Sequence, residues 1–249
     1  YKILSVNCYD LMSKKIGLFW LRDDFRTVKN YGLAEATKNH EEVVVFYLYK
    51  KSIYNIQEAQ KWWLSKSLFN FEKKLNNLNI NLEIIKTDTF KAFFDKLLKK
   101  KDMSVYWNKV YEPDYLKFDK YLIKNLKNKN ISYKICKGNV LNEIGEVKKG
   151  DGTPFKVFTP FWRNAEKYYV EKIPSKEKKI MKCSKKKKYF GNCIDLKEIL
   201  PNKKWFKNFE EMWSPSEESA LKELQSFVKN RIINYSDGRN FPNIIGTSK

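Results

Sequence analysis

Ile16-Gly17-Leu18-Phe19-Trp20-Leu21 is an unbroken apolar run, and Arg22-Asp23-Asp24-Phe25-Arg26 ends it in charge. The run has the length of a buried strand, and the polar stretch marks the loop that leaves it. Val43-Val44-Val45-Phe46-Tyr47-Leu48 is a second such run, led by β-branched residues. Leu82-Glu83-Ile84-Ile85, Ser104-Val105-Tyr106-Trp107 and Ser132-Tyr133-Lys134-Ile135 are the third, fourth and fifth. Apolar residues at helical spacing fill the intervals. Trp62, Trp63, Leu64, Leu68, Phe71, Leu75 and Leu78 precede the third run; Phe90, Phe93, Phe94, Leu97 and Leu98 the fourth; Tyr115, Phe118, Tyr121, Leu122 and Leu126 the fifth. Strands alternating with helices require right-handed crossovers, so the fold expected is α/β, a doubly wound, five-stranded parallel sheet. Its strands should begin near Ile16, Val43, Leu82, Ser104 and Ile131.

Such a sheet often binds a dinucleotide through a glycine-rich loop after the first strand. Residues 22–26 contain no glycine, which argues against an NAD-type site. Arg22 and Arg26 either hold a ligand or pair with the adjacent aspartates.

The 249 residues are 42% hydrophobic, enough for a real core. Lys and Arg number 50 against 29 Asp and Glu, a net charge of +21 that suits a polyanion or a membrane surface. Lys and Asn are abundant throughout, so part of this charge reflects an AT-rich coding bias. The cysteines Cys8, Cys136, Cys183 and Cys193 show no CxxC spacing, and His40 is the one histidine, which argues against a zinc site. Scattered thiols suit a reducing cytosol. No apolar run approaches the ~18 residues of a membrane span. Tyr1 to Leu11 lack signal-peptide character, and Met12-Ser13-Lys14-Lys15 reads as a natural start. Residues 1–11 are then upstream read-through or a disordered tail.

The pattern divides the chain into an α/β domain over 13–140, a linker over 141–204, and the start of a helical domain over 205–249. Lys148-Lys149-Gly150-Asp151-Gly152-Thr153-Pro154 is turn chemistry. Residues 174–204 are Lys-rich and read as exposed, and Lys185 to Lys188 either touch DNA phosphates or form a solvated tip. A helix should start at Ser214-Pro215-Ser216-Glu217, with Ser214 as cap, Pro215 first in the helix and Glu217 closing a capping box. Ala220, Leu221, Leu224, Phe227, Val228, Ile232 and Tyr235 give its apolar face.

Several stretches resemble, in order, the motifs of the photolyase/cryptochrome family, most closely its bacterial cyclobutane-dimer photolyases. Leu18 to Arg26 is similar to the opening W-F-R-x-D-L-R, with Asn30 in the D-N-x-x-L segment. Trp107-Asn108-Lys109-Val110-Tyr111-Glu112-Pro113 resembles N-x-x-Y-E-P, and Gly152 to Phe161 resembles G-x-P-Y-K-V-F-T-P-F. Trp213 to Ala220 resembles W-x-P-G-E-x-x-A, with Ser216 in place of glycine. Tyr235-Ser236-Asp237-Gly238-Arg239-Asn240-Phe241-Pro242, followed by Gly246-Thr247-Ser248, resembles Y-x-x-x-R-x-x-P-x-x-x-G-T-S.

The resemblance implies FAD as cofactor, with Tyr235, Thr247 and Ser248 as its contacts and Arg239 reaching DNA beside it. Without it, Tyr235 would be a core aromatic and Arg239 a surface arginine paired with Asp237 or another acid. Lys156 to Phe161 would dock the linker. The family also carries antenna chromophores, a folate or a deazaflavin. In folate-type members an Asn-Glu pair follows the Y-E turn; Asp114 and Tyr115 stand there and do not match it. Trp62, Trp63 and Trp107 read as core. No metal is implied. The implied activity is that of a deoxyribodipyrimidine photolyase, a carbon–carbon lyase. It flips UV-induced pyrimidine dimers from the duplex and splits them with an electron from light-excited, reduced FAD. The expected protein is a monomer of the bacterial cytoplasm, cut as its flavin site begins. Its catalytic residues would lie beyond residue 249, and the piece alone would be inactive. The alternative within the family is a cryptochrome-type photoreceptor without repair activity. The Tyr235–Ser248 motif argues against a stand-alone nucleotide-binding domain.

Overall fold

A computed structural model describes residues 16–50, 56–170, 180–183, 188–201, 205–241 and 243. β1 (Ile16–Leu21), β2 (Val43–Lys50), β3 (Asn81–Thr87), β4 (Met103–Asn108) and β5 (Ser132–Cys136) form one parallel sheet in the order β3-β2-β1-β4-β5. The architecture is the one expected from the sequence, and the strand starts fall within one residue of it. Helices α1 (Tyr31–Asn39), α2 (Glu58–Asn76), α3 (Phe90–Leu97) and α4 (Pro113–Asn128) are the crossovers.

Side chains alternate across a strand, so β1 feeds two cores. Leu18 and Trp20 meet Phe46, Val105 and Trp107 beneath α3 and α4, with Phe94 and Leu122 fully buried. Phe19 and Leu21 meet Val45 and Tyr106 beneath α1 and α2, with Leu33 and Leu68 fully buried. This two-sided burial explains why β1 is apolar throughout, and it places the strand at the centre of the sheet.

Two details differ from the sequence reading. The described parts of the Lys-rich segment are not wholly exposed. Cys183 and Ile199 are buried against α2 and β3. Glu83, inward on edge strand β3, accepts the amides of Tyr189 and Phe190, both at 2.7 Å. A buried carboxylate on an edge strand needs donors, and the returning chain supplies them. Trp62 and Trp107 are core as expected, but Trp63 is half exposed, on the outer side of α2.

After β5 come α5 (Phe158–Val170), α6 (Lys207–Met212), α7 (Glu217–Asn230) and α8 (Tyr235–Gly238), with a 3₁₀ turn over Ile232–Asn234. The helix expected from Ser214 begins later. Ser216 is the N-cap, its hydroxyl accepting from Ser219 N at 3.1 Å. Serine is a strong cap, which accounts for Ser216 where the related motif has glycine. Glu217 is thereby released from the expected capping box.

Candidate functional site

Ligands of doubly wound folds sit at the carboxyl ends of the strands. Here that crest is filled by the protein itself. Arg22, at the end of β1, has its guanidinium carbon 4.0 Å from the Trp20 ring centroid and 4.9 Å from that of Tyr115. It forms a two-armed ion pair with Asp119 of α4, one arm being Arg22 Nη1 to Asp119 Oδ2 at 3.2 Å. Trp107 Nε1 donates to the same oxygen at 3.3 Å. Both charged side chains are almost wholly buried. Beside them, burial first, then the Tyr115 and Asp23 charges, push the Tyr47 phenol well above its usual range. Of the two readings left open for the arginines, pairing is the one observed. Arg26 pairs with its neighbour Asp24 at 2.6 Å, but Arg22 reaches across the fold. Asp119 escaped the sequence reading. Its signal was there: Tyr115, Asp119, Leu122 and Leu126 share one helical column, and an acid in a buried column requires a buried partner.

Behind the crest, two motif residues far apart in sequence meet. Asn30 caps α1 by accepting from Leu33 N at 3.1 Å and donates to Arg26 O at 2.9 Å. Asn108 Nδ2 donates to Asn30 at 2.9 Å and to Asp24 at 3.2 Å, while its oxygen accepts Gly32 N at 2.9 Å. A Cβ on Gly32 would lie 2.6 Å from Asn108 Oδ1 and 2.7 Å from the Phe19 ring, so this approach needs glycine. The first two motifs are therefore one hydrogen-bonded joint that fixes the β1–α1 loop. An open cleft of about 340 Å³ lies elsewhere, between the end of β3, α3 and residues 190–192. It touches none of Tyr235, Arg239, Arg22 and Arg26.

The C-terminal elements carry the other expected residues. Tyr235 opens α8, half buried, with Phe227 of α7 edge-on at 5.3 Å. Among the described residues its hydroxyl has no hydrogen-bond partner, so a donor remains for a ligand oxygen. Arg239 caps α8 and sets its guanidinium carbon 5.9 Å from the Tyr235 ring centroid. Asp237, the partner considered for it, makes no ion pair with it among the described residues. Phenol and guanidinium thus stand on one side of the chain, although the long helix does not continue. It breaks at Arg231, whose φ of −128° leaves helical space and whose guanidinium turns back to Glu223 at 3.2 Å. Thr247 and Ser248 lie outside the described residues, as do Lys185, Lys186 and Lys187.

The family model for DNA photolyase matches residues 17–178. This chain belongs to the DNA photolyase family. The curated photolyase-family relatives include the deoxyribodipyrimidine photo-lyase of Agrobacterium fabrum, 29% identical over 229 residues, covering 90% of this chain and 47% of the relative. Cryptochrome-2 of Arabidopsis thaliana is 25% identical, covering 95% of this chain and 39% of its own. Among solved structures, a bacterial class III photolyase from Agrobacterium tumefaciens superposes with a TM-score of 0.81 at 26% identity, covering 98% of this chain and 50% of that one. The chain spans about half the length of these photolyases.

Proposed function

We propose that the whole protein is a light-driven DNA-repair photolyase that binds FAD and splits UV-induced cyclobutane pyrimidine dimers. The observation that carries the reading is the pairing of Tyr235 and Arg239 at the end of the α7–α8 segment. A phenol with no hydrogen-bond partner among the described residues and a cation share one side, in a motif whose order the sequence keeps. Tyr235 would donate to the FAD pyrophosphate, joined by Thr247 and Ser248 on the strength of the resemblance, and the donor set suits an anionic group. The bound flavin would supply the photochemical electron. The chain's own part is to hold that cofactor and, through Arg239, to bind a DNA phosphate beside it. The net charge of +21 supports a polyanionic partner over a repair-free photoreceptor. The domain limits 13–140, 141–204 and 205–249, a monomeric state and a cytoplasmic location belong to the same proposal. An antenna folate or deazaflavin has less support: the residues after Tyr111-Glu112 do not match the folate pattern, and Arg22 with Asp119 fills the crest.

The test uses protein expressed from its complete reading frame. It should purify with FAD. Tyr235→Phe and Thr247→Ala should each weaken flavin retention by about 1.5–3 kcal/mol, the worth of a hydrogen bond to a charged group. Arg239→Ala should leave the flavin spectrum intact, weaken binding to dimer-containing DNA, and flatten the salt dependence by about one unit. Flavin retention unchanged in both cofactor variants would remove Tyr235 and Thr247 from the site. An unchanged DNA affinity and slope would favour the cryptochrome reading, for which the match to a plant cryptochrome is the motivating observation.

A further inference from the structure

The motif from Trp213 to Ala220 has no part in the cofactor or DNA assignments, yet its acid makes a dense set of polar contacts. Glu217 opens α7, and its side chain is 7% exposed. Its carboxylate accepts Thr27 N at 3.0 Å, Thr27 Oγ1 at 2.8 Å and Val28 N at 2.7 Å, all from the β1–α1 loop. It also pairs with Lys74 of α2 at 2.8 Å. The residues before it reinforce the same seam. Asn70 donates to Pro215 O at 2.9 Å, and the Trp213 ring meets Trp63 edge-on at 5.9 Å. Beyond Glu217, α7 has no buried residue. A helix so attached can act as a lever: held at its first residue and with no buried residue along its length, it carries whatever follows its far end. Its 14 residues span about 21 Å, and Tyr235 follows within five residues of its end.

We propose that Glu217 is a positioning residue, anchoring α7 to the β1–α1 loop so that Tyr235 is presented at a fixed place relative to the α/β domain. The Asn30–Asn108 joint holds the loop it grips from behind. The chain of contact therefore runs from the sheet, through that joint, to Thr27 and Val28, to Glu217, along α7 and, by the Phe227–Tyr235 contact, to the phenol. The consequence for flavin rests on the proposed function; the anchoring itself does not.

The test again uses protein from the complete reading frame, as Glu217→Gln and Glu217→Ala, with Glu218→Gln as control, since Glu218 is exposed and its one ion pair among the described residues is with Lys222 in the next turn. Three readouts are taken. They are amide exchange at Thr27 and Val28, the distance distribution between spin labels at Lys117 and Ser236, and flavin affinity. In Glu217→Ala, exchange should quicken on the order of tenfold or more, the distribution should broaden, and flavin affinity should fall on the order of tenfold. Glu217→Gln should be intermediate, because an amide keeps one acceptor oxygen, and the control should match the parent. If the label distribution stays narrow in both Glu217 variants, the positioning role is overturned, whatever the exchange shows. Faster exchange with unchanged flavin affinity also overturns it, reducing Glu217 to a structural tie. Should the parent bind no flavin, the proposed function falls, while the label distances still decide the anchoring.

Discussion

The α/β domain and the segment from Trp205 to Phe241 are built to opposite rules. In the first, apolar side chains are spent on two closed cores, and even the charges at the sheet crest are buried as a matched pair. In the second, Leu224, Val228, Ile232 and Ile233 lie 55%, 52%, 48% and 88% exposed, and attachment to the β1–α1 loop and α2 runs through polar ties, the Glu217 carboxylate and the Lys66–Glu210 ion pair among them, and edge-on aromatic rings. The difference teaches where function can be varied. A domain whose core is closed specifies its own shape; a lever with an open apolar face has its position set by one end and by whatever covers it.

The contrast is broken most severely at the crest. Asp119→Ala should cost about 3–5 kcal/mol in denaturant unfolding of the α/β domain, because Arg22 is left buried and uncompensated. Replacing both partners with apolar residues should recover most of that loss. A small effect for Asp119→Ala would mean that Arg22 reaches water and that the crest is open to ligands after all. The next pair of variants sets the two regions side by side. Leu122→Ala, at a fully buried position of α4, should cost about 2–5 kcal/mol, whereas Leu224→Ala should change stability of this chain by no more than about 0.5 kcal/mol. Equal losses would show that α7 is covered and would erase the comparison. Gly32→Ala should cost about 1–3 kcal/mol, since its methyl overlaps Asn108 and Phe19 and the β1–α1 loop must shift. Faster amide exchange at Thr27 and Val28 in that variant would tie the joint to the Glu217 seam.

Most of the α/β fold was legible in the sequence because its physics is local and periodic. The β1 run, the β-branched β2 run and the helical spacing before each later strand state the architecture directly. What escaped was long-range and polar. Asp119 partners Arg22 across 97 residues, and Glu217 grips a loop 190 residues earlier; neither leaves a periodic trace. The cap shows the same limit at close range. Ser214 and Ser216 are both good caps, and the choice fell to Ser216 because Pro215 is buried, its carbonyl accepting from Asn70. Of the proposed site, Tyr235 and Arg239 share a side, though the helix expected to run from Ser214 through Tyr235 breaks at Arg231.

Burial alone would raise the Glu217 carboxyl, but the Lys74 ammonium and the Thr27 and Val28 donors outweigh it and hold it below its ordinary 4.5. A group depressed on folding contributes stability that is present in full above its unfolded value and is lost as pH falls through its folded value. The Thr27 and Val28 amide donors do not titrate, so the switch at this seam is the Glu217 carboxylate. Acidification from pH 6 towards the folded value should therefore loosen α7 before it unfolds the sheet. The sign of a released seam is a change in Trp213 and Trp63 fluorescence while the far-ultraviolet signal of the α/β domain persists. Glu217→Gln should abolish that early transition, having no proton to take up. If the fluorescence change survives in Glu217→Gln, another acid governs the seam. If both signals move together in the parent, the lever and the domain unfold as one, and the division between the two regions is structural rather than energetic.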